Sequence, residues 1–225
     1  MMKPYYETEL GKLYHGDCLE IIPHLEPVDL VLADPPYGIG YKPQKHNSKR
    51  SMGDRNFCAT DQLIGDSGNM DFDAKPIYES FKTKPQVWWG ANNYADSLPR
   101  SRGWLVWYKA AGMEKTDFGH AELAWTSLDM PIRGINYLWM GMCKDGNRER
   151  SVHPTQKPIE IMMWCLSFFP TANIVLDPFF GSGTTAVACE RLNRRWIGIE
   201  ISEAYCKIAA ERIERERSQR KFKGF

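Results

Sequence analysis

The 225-residue chain has no long apolar run, little net charge and no paired cysteines. Its longest apolar stretch, residues 161–169, is far shorter than the roughly 20 residues that a membrane-spanning helix needs, and no signal peptide begins the chain. The net charge of +1 does not by itself indicate a nucleic-acid partner, so any basic surface that contacts one must be local. The cysteines form no Cys-x-x-Cys pair, which predicts reduced thiols in a cytoplasmic protein and no metal site.

Several catalytic patterns are missing as well. None of the five histidines stands in a recognisable triad frame with a Ser or Cys nucleophile. No phosphate-binding Lys follows the glycines at 181–183, as it would in a P-loop. The composition is otherwise ordinary, 43% hydrophobic and 25% charged. We therefore expect residues 1–225 to form one domain with a sizeable core.

Apolar periodicity and turn residues divide the chain into alternating strands and helices. Strands are predicted at residues 28–33, 86–90, 104–108, 123–126, 137–140, 174–177 and 195–200. Helices are predicted at residues 158–169, 184–192 and 202–217. This alternation predicts the α/β class, with a doubly wound, mostly parallel sheet and a ligand site beyond the carboxyl ends of its strands.

The segment Asp34-Pro35-Pro36-Tyr37 follows the strand predicted at residues 28–33. It presents a carboxylate, a stiff backbone and an aromatic ring where that strand ends. An exocyclic amine on a ring becomes nucleophilic only when acceptors engage its hydrogens, and Asp34 with the Pro35 carbonyl can provide those acceptors. Tyr37 can stack on the ring itself. Taken alone, the tetrapeptide also fits a rigid turn with a capping Asp.

A second motif joins a strand, a glycine turn and a helix. The strand at 174–177 ends in Asp177, and Gly181-x-Gly183-x-x-Ala186 then matches the fingerprint of nucleotide sites, in which glycines admit an anion at a helix N-terminus. Glu200 ends a third apolar strand about 20 positions further on, where the fingerprint expects an acceptor for ribose hydroxyls. Strand, glycines, helix and acid together predict a nucleotide-type cofactor.

These motifs resemble those of the DNA amino-methyltransferases, which transfer the methyl group of S-adenosylmethionine to adenine N6 or cytosine N4. Residues 153–158 (HPTQKP) resemble the segment that helps to hold the methionine end of the cofactor, and residues 14–18 (YHGDC) resemble the segment whose acid contacts the cofactor's adenine. The catalytic tetrapeptide precedes the glycine loop, as in the circularly permuted beta group. In that group Asp at the first position usually accompanies adenine N6 methylation, whereas Ser more often accompanies cytosine N4.

The resemblance covers nearly the whole chain and implies a Rossmann-like methyltransferase fold, S-adenosylmethionine as cofactor and double-stranded DNA as substrate. It assigns catalysis on a flipped-out base to Asp34, Pro35, Pro36 and Tyr37. The implied cofactor site comprises Asp17, Cys18, Asp34, His153, Thr155, Lys157, Asp177, Phe179, Phe180, Gly181, Ser182, Gly183, Thr184, Thr185 and Glu200. Within it Asp17 takes the adenine, Glu200 the ribose and Asp177 the methionine amino group.

Two stretches depart from the alternating pattern. Residues 41–71 have little periodicity and a basic first half, which predicts a mobile loop that closes over DNA through Lys42, Lys45, Lys49 and Arg50. A solvated loop without a role is the alternative. Residues 110–150 stand where beta-group enzymes keep a target-recognition region, here a small one, and they offer Arg133 and Arg148 as DNA contacts.

Other functions share parts of the pattern. A nucleotide-dependent oxidoreductase would use the glycine frame but leave Asp34 and Tyr37 idle, and a catalytically silent DNA-binding subunit would keep the fold. Methyltransferases that act on RNA or on a protein amide share the chemistry, although the protein-amide enzymes usually carry Asn in place of Asp34. We expect a DNA adenine-N6 methyltransferase, with cytosine N4 as the alternative. Monomer and homodimer both remain open.

Overall fold

The computed structural model describes residues 2–37, 72–110, 119–140, 143–144 and 156–222. Its strands are β1 (Tyr6–Glu7), β2 (Gly11–His15), β3 (Leu30–Ala33), β4 (Gln86–Trp89), β5 (Trp104–Tyr108), β6 (Ala121–Thr126), β7 (Arg133–Asn136), β8 (Trp139–Met140), β9 (Cys143–Lys144), β10 (Ile174–Asp177) and β11 (Arg195–Glu200). Its helices are α1 (Cys18–Ile21), α2 (Lys75–Ser80), α3 (Ile159–Ser167), α4 (Thr184–Arg191) and α5 (Glu203–Phe222). The predicted loop at 41–71 lies outside the described residues, and so do Lys42, Lys45, Lys49, Arg50, Arg148, His153 and Thr155.

Nine of these strands form one sheet in the order β1-β2-β11-β10-β3-β4-β6-β5-β7. The five adjacent strands β2, β11, β10, β3 and β4 run parallel to one another, which confirms the mostly parallel, doubly wound sheet. Strands β3 and β4 are buried at every residue, as continuous apolar runs in a parallel sheet require. The carboxyl ends of the central strands therefore meet at one edge.

Separate apolar cores cover the two faces of the sheet. Leu32 of β3 packs in the cluster that contains Ile161 of α3, whereas the preceding residue, Val31, packs in the cluster that contains Ile77 of α2. Successive side chains of a strand point to opposite faces, so helices on both sides of the sheet are needed to bury them. No helix among the described residues combines the length and the apolar character that crossing a membrane would require.

Strand β6 is reversed within the sheet. It pairs antiparallel with β4 on one side and with β5 on the other, so β5 runs in the same direction as the central strands. The first residues of β6 consequently lie at the edge where β4 and β5 end. This reversal brings part of the stretch 110–150 to the same edge as the two sequence motifs.

Some element boundaries differ from those predicted. Strands β5, β10 and β11 have the expected bounds, but β1, β2 and α2 had no sequence prediction. The strand expected at residues 137–140 is present only in its second half, as β8, which pairs with β9 in a separate two-stranded sheet. Strand β7, which joins the large sheet and ends at Asn136, had no sequence prediction. Strand β7 is largely exposed on the edge of the sheet and so lacks the apolar pattern that marks a buried strand.

Candidate active site

A cavity of about 310 Å³ lies at the carboxyl ends of the parallel strands. Three of the four carboxylates that line it stand at the ends of different strands: Asp34 follows β3, Asp177 ends β10 and Glu200 ends β11. Asp17, which follows β2, also lines the cavity. Its carboxylate caps α1 by accepting the N–H of Leu19 at 2.8 Å. The sheet thus gathers acids that are distant in sequence into one site.

Most of the cofactor residues predicted within the described part of the chain line this cavity. They are Asp17, Cys18, Asp34, Lys157, Asp177, Phe179, Phe180, Gly181, Ser182, Thr184, Thr185 and Glu200, and they are joined by Pro35 and Pro36 of the catalytic tetrapeptide. Lining residues that sequence reasoning missed include Phe72, Met162 and Tyr205. Within the described residues, no group of three or more His, Cys, Asp or Glu side chains is placed to hold a metal ion.

Glu200 fixes the start of the glycine loop. Its Oε2 accepts the N–H of Gly181 at 2.7 Å, and its Oε1 accepts the N–H of Ser202 at 2.9 Å. Burial raises the pKa of Glu200 above its ordinary value, and these backbone N–H groups oppose the rise. The carboxylate therefore ties the loop to the end of β11.

Asp177 is the most protected acid of the cavity. Its Oδ1 accepts the N–H of Phe179 at 3.0 Å, and its Oδ2 accepts the hydroxyl of Thr185 at 2.5 Å. Burial raises the pKa of Asp177 from 3.8 to about 7, although both hydrogen bonds favour the ionised form. Asp177 is thus poised to titrate near neutral pH.

Gly183 is not among the residues that line the cavity. Its φ of 77° lies in the left-handed region, and a Cβ at this position would be 3.2 Å from Cβ of Ala209 and 3.3 Å from Cε1 of Phe180. The position faces α5, so the missing side chain permits close packing of that helix. The backbone approach to an anion, which the fingerprint predicts for Gly183, stays a prediction. Phe180 itself stacks on Trp196 in the core, with ring centroids 5.5 Å apart.

A buried arginine forms hydrogen bonds to two residues of the glycine loop. Arg212 of α5 is only 3% exposed, and its Nη1 donates to the carbonyl and hydroxyl oxygens of Ser182, each at 3.1 Å, and to the hydroxyl of Thr184 at 2.9 Å. Ser182 and Thr184 both line the cavity. Sequence reasoning missed Arg212 because the charged residues of α5 look like a solvated helix face.

Two side chains of the tetrapeptide predicted to be catalytic contact each other. The hydroxyl of Tyr37 donates to Oδ1 of Asp34 at 2.8 Å, and Nζ of Lys157 donates to the same oxygen at 2.5 Å and to the Tyr37 hydroxyl at 2.8 Å. Burial and the nearby charge of Asp34 raise the pKa of Tyr37 well above its ordinary value, which keeps its proton in place. Tyr37 is not among the residues that line the cavity.

Lys157 joins Asp34 to a second carboxylate. Its Nζ lies 3.3 Å from Oε2 of Glu122, whose Oε1 lies 2.8 Å from Nζ of Lys109. Burial alone would lower the pKa of Lys157, but the charges of Asp34 and Glu122 outweigh it and raise that pKa. The resemblance had assigned Lys157 to the methionine end of the cofactor. Lys157 lines the cavity, and its ammonium contacts Asp34 and Tyr37.

Arg133 is the one predicted DNA contact that falls within the described residues. It is exposed at the start of β7, where it lies opposite Leu105 near the beginning of β5. Because β5 runs in the same direction as β3, this end of β5 points away from the edge that carries Asp34. The structure therefore does not bring Arg133 to the cavity.

Solved structures share this fold. M1.HpyAVI in complex with SAM is 24% identical, covers 90% of this chain and 100% of that one, and has a TM-score of 0.53. The cytosine-N4-specific PvuII DNA methyltransferase is 17% identical, covers 92% of this chain and 88% of its own, and has a TM-score of 0.59. These likenesses show the fold alone, and that fold is the Rossmann-like fold of the methyltransferases.

Sequence relatives define the family more closely. The N6/N4 family described as DNA methylase matches residues 74–211, so the chain belongs to this family of DNA amino-methyltransferases. The type II methyltransferase M2.LlaDCHI of Lactococcus lactis subsp. cremoris is 28% identical over 96% of this chain and 93% of its own length. M2.DpnII of Streptococcus pneumoniae is 26% identical over 96% and 94%. This membership does not favour the oxidoreductase that the glycine frame alone left open.

Proposed function

We propose that the protein transfers a methyl group from S-adenosylmethionine to adenine N6 of a flipped-out base in double-stranded DNA. The observation that carries the proposal is Asp34 at the end of β3, in the wall of a cavity that Asp177 and Glu200 also line. An acceptor at that point is what a ring amine needs to become nucleophilic. The Asp-Pro-Pro-Tyr spelling, which resembles that of adenine-N6 enzymes, favours adenine over cytosine.

The charges around the cavity suit S-adenosylmethionine. Asp177, Asp17 and Glu200 are acceptors matched to an ammonium group, an adenine amine and ribose hydroxyls respectively. The first turn of α4, with the hydroxyls of Ser182 and Thr184, suits a carboxylate because the N–H groups of a first turn have no intrahelical partner. Phe179 and Phe72, whose rings lie edge to face 5.4 Å apart, give the wall an apolar side. When bound, the cofactor supplies an electrophilic methyl group.

The residues of the chain act on the amine mainly by position and charge. Asp34 and the Pro35 carbonyl accept its hydrogens, and the Asp34 carboxylate stabilises the positive charge that develops on nitrogen. The Tyr37 hydroxyl, which donates to Asp34, fixes the direction of that carboxylate. No strong general base is required, so positioning and electrostatic stabilisation supply most of the rate.

The reaction requires the target base to leave the DNA duplex. A paired adenine does not expose its amine to the methyl group, so the base must leave the stack at a cost of a few kcal/mol, and Tyr37 is the residue that we expect to stack on it. M2.LlaDCHI and M2.DpnII are type II methyltransferases, which supports DNA as the substrate. Phosphate contacts remain assigned by sequence to Lys42, Lys45, Lys49, Arg50 and Arg148.

The test is to incubate the purified protein with radiolabelled S-adenosylmethionine and unmethylated genomic DNA and then to map the modified base. We expect label on adenine N6, loss of labelling in Asp34→Ala, and unchanged labelling in Asp96→Ala, which removes an exposed aspartate. Label on cytosine N4 would support the alternative base. Total RNA incubated in parallel is the comparison, and label in RNA but not in DNA would overturn the proposed substrate.

A further inference from the structure

A line of alternating charges reaches the carboxyl of Asp34 from the end of β5 and the start of β6. Lys109 lies 2.8 Å from Glu122, Glu122 lies 3.3 Å from Lys157, and Lys157 lies 2.5 Å from Asp34. The Lys157 side chain is only 3% exposed, whereas the side chains of Lys109 and Glu122 are each 24% exposed. The line therefore runs from a partly exposed ion pair to a buried one.

The ammonium of Lys157 is held on every side. A primary ammonium has three N–H donors, and the oxygens of Asp34, Tyr37 and Glu122 provide one acceptor for each. The same nitrogen lies 5.3 Å from the ring centroid of Trp89, within the range of a cation–π contact. Glu122 is the anchor on the side away from the cavity, since Asp34 lines the cavity and Glu122 does not.

Asp34 needs such a cation. Burial favours the protonated form of a carboxyl group, and a protonated Asp34 would lack the charge that stabilises a cationic nitrogen. An ammonium in contact typically lowers the pKa of a neighbouring carboxyl by about 1–3 units. The titratable groups that face Asp34 within the described residues are Tyr37, Tyr94, Glu122, Lys157, Cys165 and Asp177. Lys157 carries the positive charge among them.

We propose that Lys157, anchored by Glu122, is a positioning residue that keeps Asp34 ionised and aimed at the target amine. The inference rests on the proposed function, because it assigns to Asp34 the role of acceptor for that amine. It also gives part of the stretch 110–150 a task other than reading DNA, since Glu122 on β6 supports the chemistry.

The first test is the pH dependence of single-turnover DNA methylation. Methylation requires ionised Asp34, so the rate falls below the pKa of that carboxyl. Lys157→Met should move this acidic limb to higher pH by about one unit or more, and Lys157→Arg should restore part of the shift. Glu122→Gln keeps an acceptor but removes a negative charge near Asp34, so its limb should move to lower pH. Lys82→Met, an exposed lysine, should superimpose on the wild type.

Opposite shifts in two variants separate a charge effect from general damage. A structural role for Lys157 would lower the rate equally at every pH and leave the limb unmoved, which would overturn the proposal. Calorimetry supplies a second criterion, because affinity for S-adenosylmethionine should change by no more than about threefold in Lys157→Met. A large loss of affinity for S-adenosylmethionine, with no shift of the acidic limb of the pH–rate profile, would indicate instead that Lys157 binds the cofactor.

Carbon-13 NMR keeps the inference testable apart from activity. The Asp34 carboxyl signal, assigned by its loss in Asp34→Asn, should titrate at higher pH in Lys157→Met and at lower pH in Glu122→Gln. An unmoved titration in both variants would overturn the inference. If the protein methylates no nucleic acid but the titrations shift as expected, the proposed function fails and the control of Asp34 by Lys157 stands. If Lys157→Met does not fold, the titration of the Asp34 carboxyl in Glu122→Gln and Lys157→Arg tests the inference.

Discussion

The ring of Tyr37 lies against the backbone of Gly90. A Cβ at residue 90 would be 2.0 Å from Cε1 of Tyr37, and the φ of Gly90 is 70°, in the left-handed region. The residue that directly follows β4 must therefore be glycine for the Tyr37 hydroxyl to reach Asp34. Two segments that are distant in sequence are therefore packed closely together beside Asp34.

Gly90→Ala should disturb both stability and catalysis. The left-handed backbone costs a non-glycine residue about 1–2 kcal/mol of unfolding free energy, and the displaced Tyr37 ring should slow methylation by roughly tenfold to a hundredfold. Urea unfolding and single-turnover rates measure the two effects. The control is Gly119→Ala, where the nearest atom to a new Cβ is 3.9 Å away and a change within about 0.5 kcal/mol is expected. Equal changes in unfolding free energy and methylation rate in the two variants would contradict the close packing of Tyr37 against Gly90.

Arg212→Met should weaken binding at the carboxylate end of the cofactor. Without the guanidinium, the oxygens of Ser182 and Thr184 lose their shared donor, so the glycine loop is no longer held in place. Affinity for S-adenosylmethionine should fall by about tenfold or more, whereas affinity for methylthioadenosine, which lacks the amino-acid end, should change by less than about threefold. Calorimetry with Arg215→Met, an exposed arginine on the same helix, provides the control. Equal losses for both ligands would point to general damage.

Sequence patterns predicted the parts of the fold whose residues are buried in continuous runs. Strands β10 and β11 combine apolar residues with an acid at the end, and Asp177 and Glu200 accordingly lie where the motif expected them. The direction of β6 cannot be derived from its sequence, because side chains alternate between the two faces of a strand whichever way the strand runs. Glu122 was missed for this reason, since only the reversal of β6 brings it to Lys157.

Local motifs predicted where a residue lies in the fold better than they predicted which side chains it contacts. Lys157 lies in a segment correctly expected near the cavity, but the burial of its side chain against Asp34 depends on β5 and β6, which are remote in sequence. Gly183 matches the glycine frame, yet Ala209 of α5 packs against the position that a side chain at residue 183 would occupy. A spacing rule identifies a loop, whereas the partner of each side chain is set by tertiary packing.

Titration of Asp177 should make stability depend on pH near neutrality. Its pKa is about 7 in the folded protein and 3.8 ordinarily, so the folded state binds the proton more tightly. The stabilisation is fully present below the ordinary pKa and is lost as the pH rises through 7. Relative to Asp177→Asn, the wild type should lose roughly 2–3 kcal/mol of unfolding free energy between about pH 5 and 8. Parallel pH curves in urea unfolding would show that Asp177 is not perturbed.

The role of Asp34 as the acceptor for the target amine is tested most directly by the single-turnover methylation rate of Asp34→Asn. This variant keeps the shape of the side chain and removes its charge, so DNA and S-adenosylmethionine should bind within a few-fold of the wild type. The rate should fall by about a hundredfold to a thousandfold, the loss typical of a group that stabilises developing charge, whereas Asp96→Asn should react as the wild type does. A rate for Asp34→Asn within about twofold of the wild type would contradict the catalytic role of Asp34.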